Sequence, residues 1–279
     1  MIPARFHYHR PQSLDEALGL LGSVEDAKIL AGGHSLLPAM KLRLAQPRNV
    51  IDIGRIPNLN HIREQNGRIH IGALATHHAI ATSDLLRSRC PLLPEVAAEI
   101  GDVQVRHRGT LGGSLAHADP AADWPAPILA LDAEIEIAGL AGRRVVRAAD
   151  FFVDMMQSAV QPNEILVEVR VPVTTASVAY AKFAQKASGF AIAGAAVVVN
   201  THARRVQVGI TGVAPKAYRA TAVEEALAGS TLNSAAIARA AARAADGIEA
   251  LNDIHASAEY RAHLACVQTR RALEMAVSR

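Results

Sequence analysis

Gly109-Thr110-Leu111-Gly112-Gly113-Ser114 runs directly into Leu115-Ala116-His117-Ala118-Asp119-Pro120-Ala121-Ala122-Asp123. A glycine pair between small hydroxyl residues lets backbone N–H groups come closer to a ligand than any Cβ allows, and a helical pattern follows at once. Much earlier, Ala31-Gly32-Gly33-His34-Ser35 repeats this arrangement between an apolar run and a second helix. Either turn alone is an ordinary tight connection. Two of them, each opening a helix whose N-terminal N–H groups favour negative charge, describe the two sides of an anion cradle, and Ser35, Thr110 and Ser114 add hydroxyl donors. A diphosphate is the ligand that needs both sides.

Outward from these turns the chain alternates. Ser13 with Glu16 forms a capping box for a helix over 14–21, a short buried strand follows at 27–31, and Ser35 is placed to cap a helix over 36–44. Strands are expected at 49–53 and 68–74, with the turn Asn66-Gly67 between them, then helices at 76–87, 91–100 and 124–131. Alternating apolar and charged residues at 133–137 and 164–171 read as half-buried strands. Beyond about residue 175 the pattern becomes a meander, with strands at 180–185, 193–199 and 205–211, and then Ala-rich helices at 222–227, 235–248 and 260–275.

The chain has 279 residues, enough for two or three packed units, and half of them are hydrophobic. Aromatic residues make up 4% and the net charge is +3, so neither a stacking platform nor a basic face for nucleic acid is present. Cys90 and Cys266 stand far apart without metal-ligand spacing. The chain therefore cannot ligate a four-cysteine iron–sulfur cluster by itself. The N-terminus shows no apolar leader and no run is long enough to span a membrane, so a cytoplasmic protein is expected.

No GxGxxG, GxxxxGK[ST], GxSxG or HExxH motif occurs, which removes the common nucleotide and hydrolase readings. His117, Asp119 and Asp123 fall close together, but an oxygen-rich metal site normally has more ligands at alternating spacing, and no metal is assigned. Asp123 is better placed as the acceptor for a sugar hydroxyl, and Asp119 before Pro120 as a cap. His34 and His107 flank the two turns, where each is either a donor to a phosphate or a flavin carbonyl or a solvated surface side chain. His77-His78 shows no partner in the sequence and receives no role.

Two segments, AGGHSLLPAMKLRLAQP at 31–47 and IGDVQVRHRGTLGGSLAHADPAADWP at 100–125, resemble the signature of the FAD-binding medium subunit of molybdenum hydroxylases, of the carbon monoxide dehydrogenase and xanthine dehydrogenase type. The likeness continues through DFF at 150–152, EILVEVRVP at 164–172, KF at 182–183, ITGVAP at 210–215 and HASAEYRAHLACVQTRRALE at 255–274, and so covers essentially the whole chain. It implies an α+β fold: a two-subdomain FAD-binding region of the vanillyl-alcohol-oxidase type, then an α+β C-terminal domain with an antiparallel sheet and helices. On this chain that gives a FAD-binding domain at 1–175, with subdomains about 1–55 and 56–175, and a C-terminal flavoprotein domain at 176–279.

The resemblance also implies a site. Ala31, Gly32, Gly33, His34 and Ser35 hold the FAD diphosphate from one side and Thr110, Leu111, Gly112, Gly113 and Ser114 from the other. Asp123 matches the acidic residue after the second turn, and Leu166 and Lys182 approach the flavin ring or its ribityl chain. His107 stands where Asn is common and Leu111 where Ile is common. The cysteine cluster of benzoyl-CoA reductase-type subunits is missing. The implied function is a noncovalent FAD relay that accepts electrons from a two-iron, two-sulfur cluster on a small partner subunit and passes them to an external acceptor. Substrate is then oxidised on a large molybdopterin subunit, the complex being a dimer of heterotrimers, and no catalytic residue is named on this chain. The competing readings are a stand-alone flavin-dependent oxidoreductase, for which no proton acceptor is evident, and a cofactor-free scaffold, against which the intact turns count.

Overall fold

The computed structural model describes all 279 residues. The first unit contains β1 (His7–His9), α1 (Leu14–Ser23), β2 (Ala27–Leu30), α2 (Leu36–Lys41) and β3 (Asn49–Asp52), with the strands parallel in the order β1-β3-β2. Ser13 caps α1 as the sequence predicts, while the return bond of Glu16 goes one residue further back than a capping box has it. Glu16 N–H donates to Ser13 Oγ at 3.1 Å, and Glu16 Oε2 accepts from Gln12 N–H at 2.7 Å. Helix α2 differs from expectation at both ends. Ser35 lies in the helical region of backbone space and its side chain caps nothing, while Arg43, at φ 60°, turns the chain away after Lys41.

The second unit opens with β4 (Ile62–Gln65) and β5 (Arg68–Gly72). Short helices follow: α3 (His77–Ala81), α4 (Asp84–Arg89), α5 (Leu92–Ala98), α6 (Val103–Arg108), α7 (Leu111–His117) and α8 (Pro125–Ala130). The single helix expected over 76–87 is two, because Ser83 Oγ accepts from Leu86 N–H and starts α4 afresh. Then come β6 (Glu134–Gly139), β7 (Gly142–Arg147), α9 (Ala148–Phe151), β8 (Phe152–Asp154), β9 (Gln157–Ser158) and β10 (Glu164–Pro172). An antiparallel sheet runs β4-β5-β10-β6-β7, with β10 at its centre.

The third unit is a four-stranded antiparallel sheet of β11 (Ser177–Ala184), β12 (Ala191–Asn200), β13 (Arg205–Thr211) and β14 (Tyr218–Arg219). It carries α10 (Thr221–Leu227), α11 (Ser234–Ala241) and α12 (Ala258–Val277). Helix α11 ends well before the expected residue 248, in turns. The chain is thus α+β, as the sequence reading expects. No helix is long and apolar enough to cross a membrane.

Strand β10 joins two cores. Ile165 and Val167 pack with Leu18, Leu21 and Ile53 on the side of the first unit and with Ile56 and Leu59 of the segment that follows it, whereas Leu166, Val169 and Val171 pack with Leu111, Leu115 and Trp124 of the second. An unbroken strand would put 165, 167, 169 and 171 on one face. The pairing slips between Leu166 and Glu168, opposite Ile137 and Glu136, and this bulge at Val167 changes which parity faces inward.

Candidate functional site

The first glycine loop leaves β2 and enters α2. The backbone N–H groups of Gly32, Gly33, His34, Ser35 and Leu36 donate to no group of the chain. Gly33 sits at φ 80°, which glycine adopts without strain. A side chain on Gly32 would place its Cβ 2.1 Å from the Arg108 carbonyl oxygen and 2.9 Å from Gly109 Cα. The two loops therefore touch at glycine, and Ala31 faces the second loop, its Cβ 3.7 Å from the position a Gly113 Cβ would take.

The second loop is the start of α7 itself, and here the structure departs from the symmetric cradle that the sequence suggests. Leu111 N–H donates to Ala75 O at 3.0 Å, Gly112 N–H to Ala73 O at 2.9 Å and Gly113 N–H to Thr110 Oγ1 at 3.2 Å. The first two donors pin α7 to the segment that follows β5, and the third closes the helix's own N-cap. Gly112 is needed for that contact, since its Cβ would lie 2.5 Å from Ala73 Cβ. What remains on this side is the Thr110 N–H and the Ser114 hydroxyl, neither of which donates within the chain. The first loop thus supplies the run of N–H donors and one free hydroxyl, Ser35, and the second a single N–H, Thr110, and a single free hydroxyl, Ser114.

Below the second loop lies a buried polar cluster. Asp123 is 5% exposed; its Oδ1 accepts from Tyr180 Oη at 2.6 Å and pairs with Lys182 Nζ at 3.0 Å, while its Oδ2 engages no group of the chain. Lys182 also donates to the carbonyls of Glu99 and Gly189, at 2.6 Å and 2.9 Å. Burial pushes the Asp123 carboxyl up despite Lys182 and Tyr180, and burial beside Asp123 holds the Tyr180 phenol well above its ordinary value. Leu166 is buried in the core shared with Leu111 and Leu115 of α7. Asp123 and Lys182 therefore meet directly, the glycine loops meet each other, and Leu166 supports α7 from the sheet.

The histidines divide. His34 Nδ1 lies 3.1 Å from Gly32 O, and His107 stacks on His78 with ring centroids 3.9 Å apart; His34 and His107 are exposed and His78 lies at the surface beside them. Sequence reasoning missed His77. It is 4% exposed, and Trp124 Nε1–H donates to its Nδ1 at 3.0 Å. Burial, with smaller contributions from His34 and Arg106, drops its pKa to about 4. The one signal in the sequence was Trp124, the sole tryptophan, whose indole needs an acceptor when buried. No three His, Cys, Asp or Glu side chains converge as a metal site.

A dinucleotide diphosphate fits these residues. The free N–H run at Gly32–Leu36 and the Ser35 and Ser114 hydroxyls match a dianion, and Asp123 Oδ2 is a free acceptor for a hydroxyl. Residues 4–174 match the family described as the FAD binding domain in molybdopterin dehydrogenase, and residues 178–276 the CO dehydrogenase flavoprotein C-terminal domain. The carbon monoxide dehydrogenase medium chain of Hydrogenophaga pseudoflava is 42% identical over 100% of this chain and 99% of its own. The nicotine 6-hydroxylase medium subunit of Paenarthrobacter nicotinovorans is 37% identical over 100% and 99%. Among solved structures, carbon monoxide dehydrogenase from Hydrogenophaga pseudoflava superposes with a TM-score of 0.96 at 43% identity, covering 100% and 99% of the two chains. Quinoline 2-oxidoreductase from Pseudomonas putida 86 superposes at 0.94 and 33% identity, covering 100% and 99%. The chain belongs to the family of FAD-binding medium subunits of molybdenum hydroxylases.

Proposed function

We propose that this chain holds FAD with its diphosphate against the Gly32–Leu36 N–H run and relays electrons from a two-iron, two-sulfur partner subunit to an external acceptor. The observation that carries the reading is that run of free donors, packed at glycine against a second loop that contributes the Thr110 N–H and the Ser114 hydroxyl. Bound FAD supplies the two-electron carrier that no side chain provides. The chain's own residues do the placing. Gly32, Gly33, His34, Ser35 and Leu36 bind the anion; Thr110 and Ser114 close on it; Asp123 presents Oδ2 to a ribityl or ribose hydroxyl. Lys182 fixes the Asp123 carboxylate, and Leu166 holds α7 against the sheet at the level of the flavin. The FAD-binding domain is assigned to 1–175 and the C-terminal flavoprotein domain to 176–279.

Relatives of nearly equal length and fold are named for carbon monoxide on one side and for the N-heteroaromatics nicotine and quinoline on the other. That variety favours placing the substrate on a large molybdopterin subunit, with this chain and a small iron–sulfur subunit completing a dimer of heterotrimers. The purified chain, loaded with FAD, is expected to show flavin absorbance stoichiometric with protein. Gly33→Val, which forces a β-branched residue to φ 80° and sets a Cβ 2.9 Å from Leu37 Cδ1, is expected to lose it while far-UV circular dichroism stays unchanged. Full flavin occupancy in that variant refutes the loop assignment. An isolated chain that oxidises an organic substrate at full rate without partner subunits refutes the relay.

A further inference from the structure

We infer that the Nε2–H of His77 is a further donor to the FAD diphosphate, delivered from behind the second loop through the gap left by Gly109. The inference rests on the FAD reading above and adds to it a residue outside both glycine loops. Its basis is a tautomer that the structure fixes. Indole Nε1–H can only donate, so the Trp124 bond at 3.0 Å makes His77 Nδ1 the acceptor and leaves the ring proton on Nε2. That Nε2–H has no acceptor in the chain, although His77 is 4% exposed. Nor is the nitrogen sealed in. The fully enclosed side-chain atoms without partners are Ser230 Oγ, Arg261 Nε, Gln268 Nε2 and Thr269 Oγ1, so His77 Nε2 keeps an opening.

The nitrogen lies beside Gly109 at the loop contact. A Cβ at Gly109 would stand 2.6 Å from His77 Nε2, and Gly109 Cα in turn lies where a Gly32 Cβ would be 2.9 Å away. With glycine at 32 and at 109, the Arg108–Gly109 backbone alone, and no side chain, stands between Gly32 and the imidazole. The His77 backbone N–H bonds to Gly109 O at 3.0 Å, which fixes the ring's height against the loop. A surface histidine turns its ring freely and gains charge near neutral pH. This one is oriented by a buried indole, uncharged near neutral pH because burial lowers its pKa to about 4, and holds one proton toward Gly109 of the second loop.

The test uses the full chain, with FAD and inorganic pyrophosphate as probes. Nitrogen-15-edited NMR of the histidine rings is expected to show the His77 Nε2 proton shifting and exchanging more slowly on saturation with either probe. His77→Phe keeps the ring volume but loses the donor, and is expected to bind FAD roughly tenfold to hundredfold more weakly, the range for a lost hydrogen bond to a charged group. His77→Gln returns an N–H near Nε2 and should recover most of that loss. Because His77→Phe also strands the Trp124 indole, the double variant with Trp124→Phe is measured beside it. Wild type that binds FAD while the phenylalanine variants bind equally well, or an unmoved His77 resonance on saturation, overturns this inference alone. Wild type that binds neither probe overturns the FAD reading and this inference with it.

Discussion

Glu168 shows how single residues set the response of the fold to acid. It is 5% exposed on the outer face of β10, and its carboxylate takes hydrogen bonds from Arg170 Nε at 2.7 Å and from His61 and His70 at 2.9 Å each. Burial alone pushes the group up, yet the bonds from Arg170, His70 and His61 outweigh it and hold the pKa at about 2, against an ordinary 4.5. Because the folded value lies below the unfolded one, the stability this gives is fully present above about pH 4.5 and is lost as pH falls toward 2. The shift corresponds to about 3 kcal/mol. Urea unfolding at pH 6 and at pH 3 is expected to show wild type losing much of its advantage over Glu168→Gln at the lower pH. A difference between the two proteins that does not change with pH contradicts this assignment.

Among the elements, α1 separates a glycine that matters from one that does not. Gly19 lies exposed inside α1, and a side chain added there would meet nothing within 4 Å, so Gly19→Ala should stabilise the protein by about 0.5–1 kcal/mol. At the start of α7, Gly112→Ala is overpacked against Ala73 and should cost about 1–3 kcal/mol. Thermal unfolding of the two variants is expected to move in opposite directions. The same contrast explains what was legible in the sequence. The Ser13 cap of α1, the β13 span and the two glycine loops are local chemistry and could be read directly. The turn of parity at Val167 could not, because a bulge exists only relative to its partner strand. Strand β7 was missed because it is an outer edge strand, exposed along nearly all its length, with no alternation to detect. The second loop's N–H groups looked free because their acceptors, Ala73 O and Ala75 O, lie far away in sequence.

Across the whole molecule, the segment after α7 is where the C-terminal sheet is fastened to the glycine loops. Gly212 N–H donates to Pro120 O, Ala191 N–H to Ala121 O, and Thr211 Oγ1 to the carbonyls of Pro120 and Ala122. These backbone bonds set the distance between the units; the pair Asp123–Lys182, with Tyr180, sets the charge at their joint. Lys182 reaches from β11 to Glu99 O beyond α5, so one side chain spans the sheet, the helical layer and the acid beneath the second loop. Removing either charge leaves the other buried without its counterion, which costs about 3–5 kcal/mol in comparable pairs. Lys182→Met and Asp123→Asn should each destabilise by that order, and the double variant by clearly less than their sum, since the orphaned charge is gone. The flavin readout separates this joint from the cradle. If Asp123 Oδ2 accepts a ligand hydroxyl, Asp123→Asn lowers FAD affinity more than Lys182→Met does, because only the former alters the atom that touches the ligand. Equal losses of affinity in the two variants, tracking their losses of stability, would instead make the cluster a structural rivet.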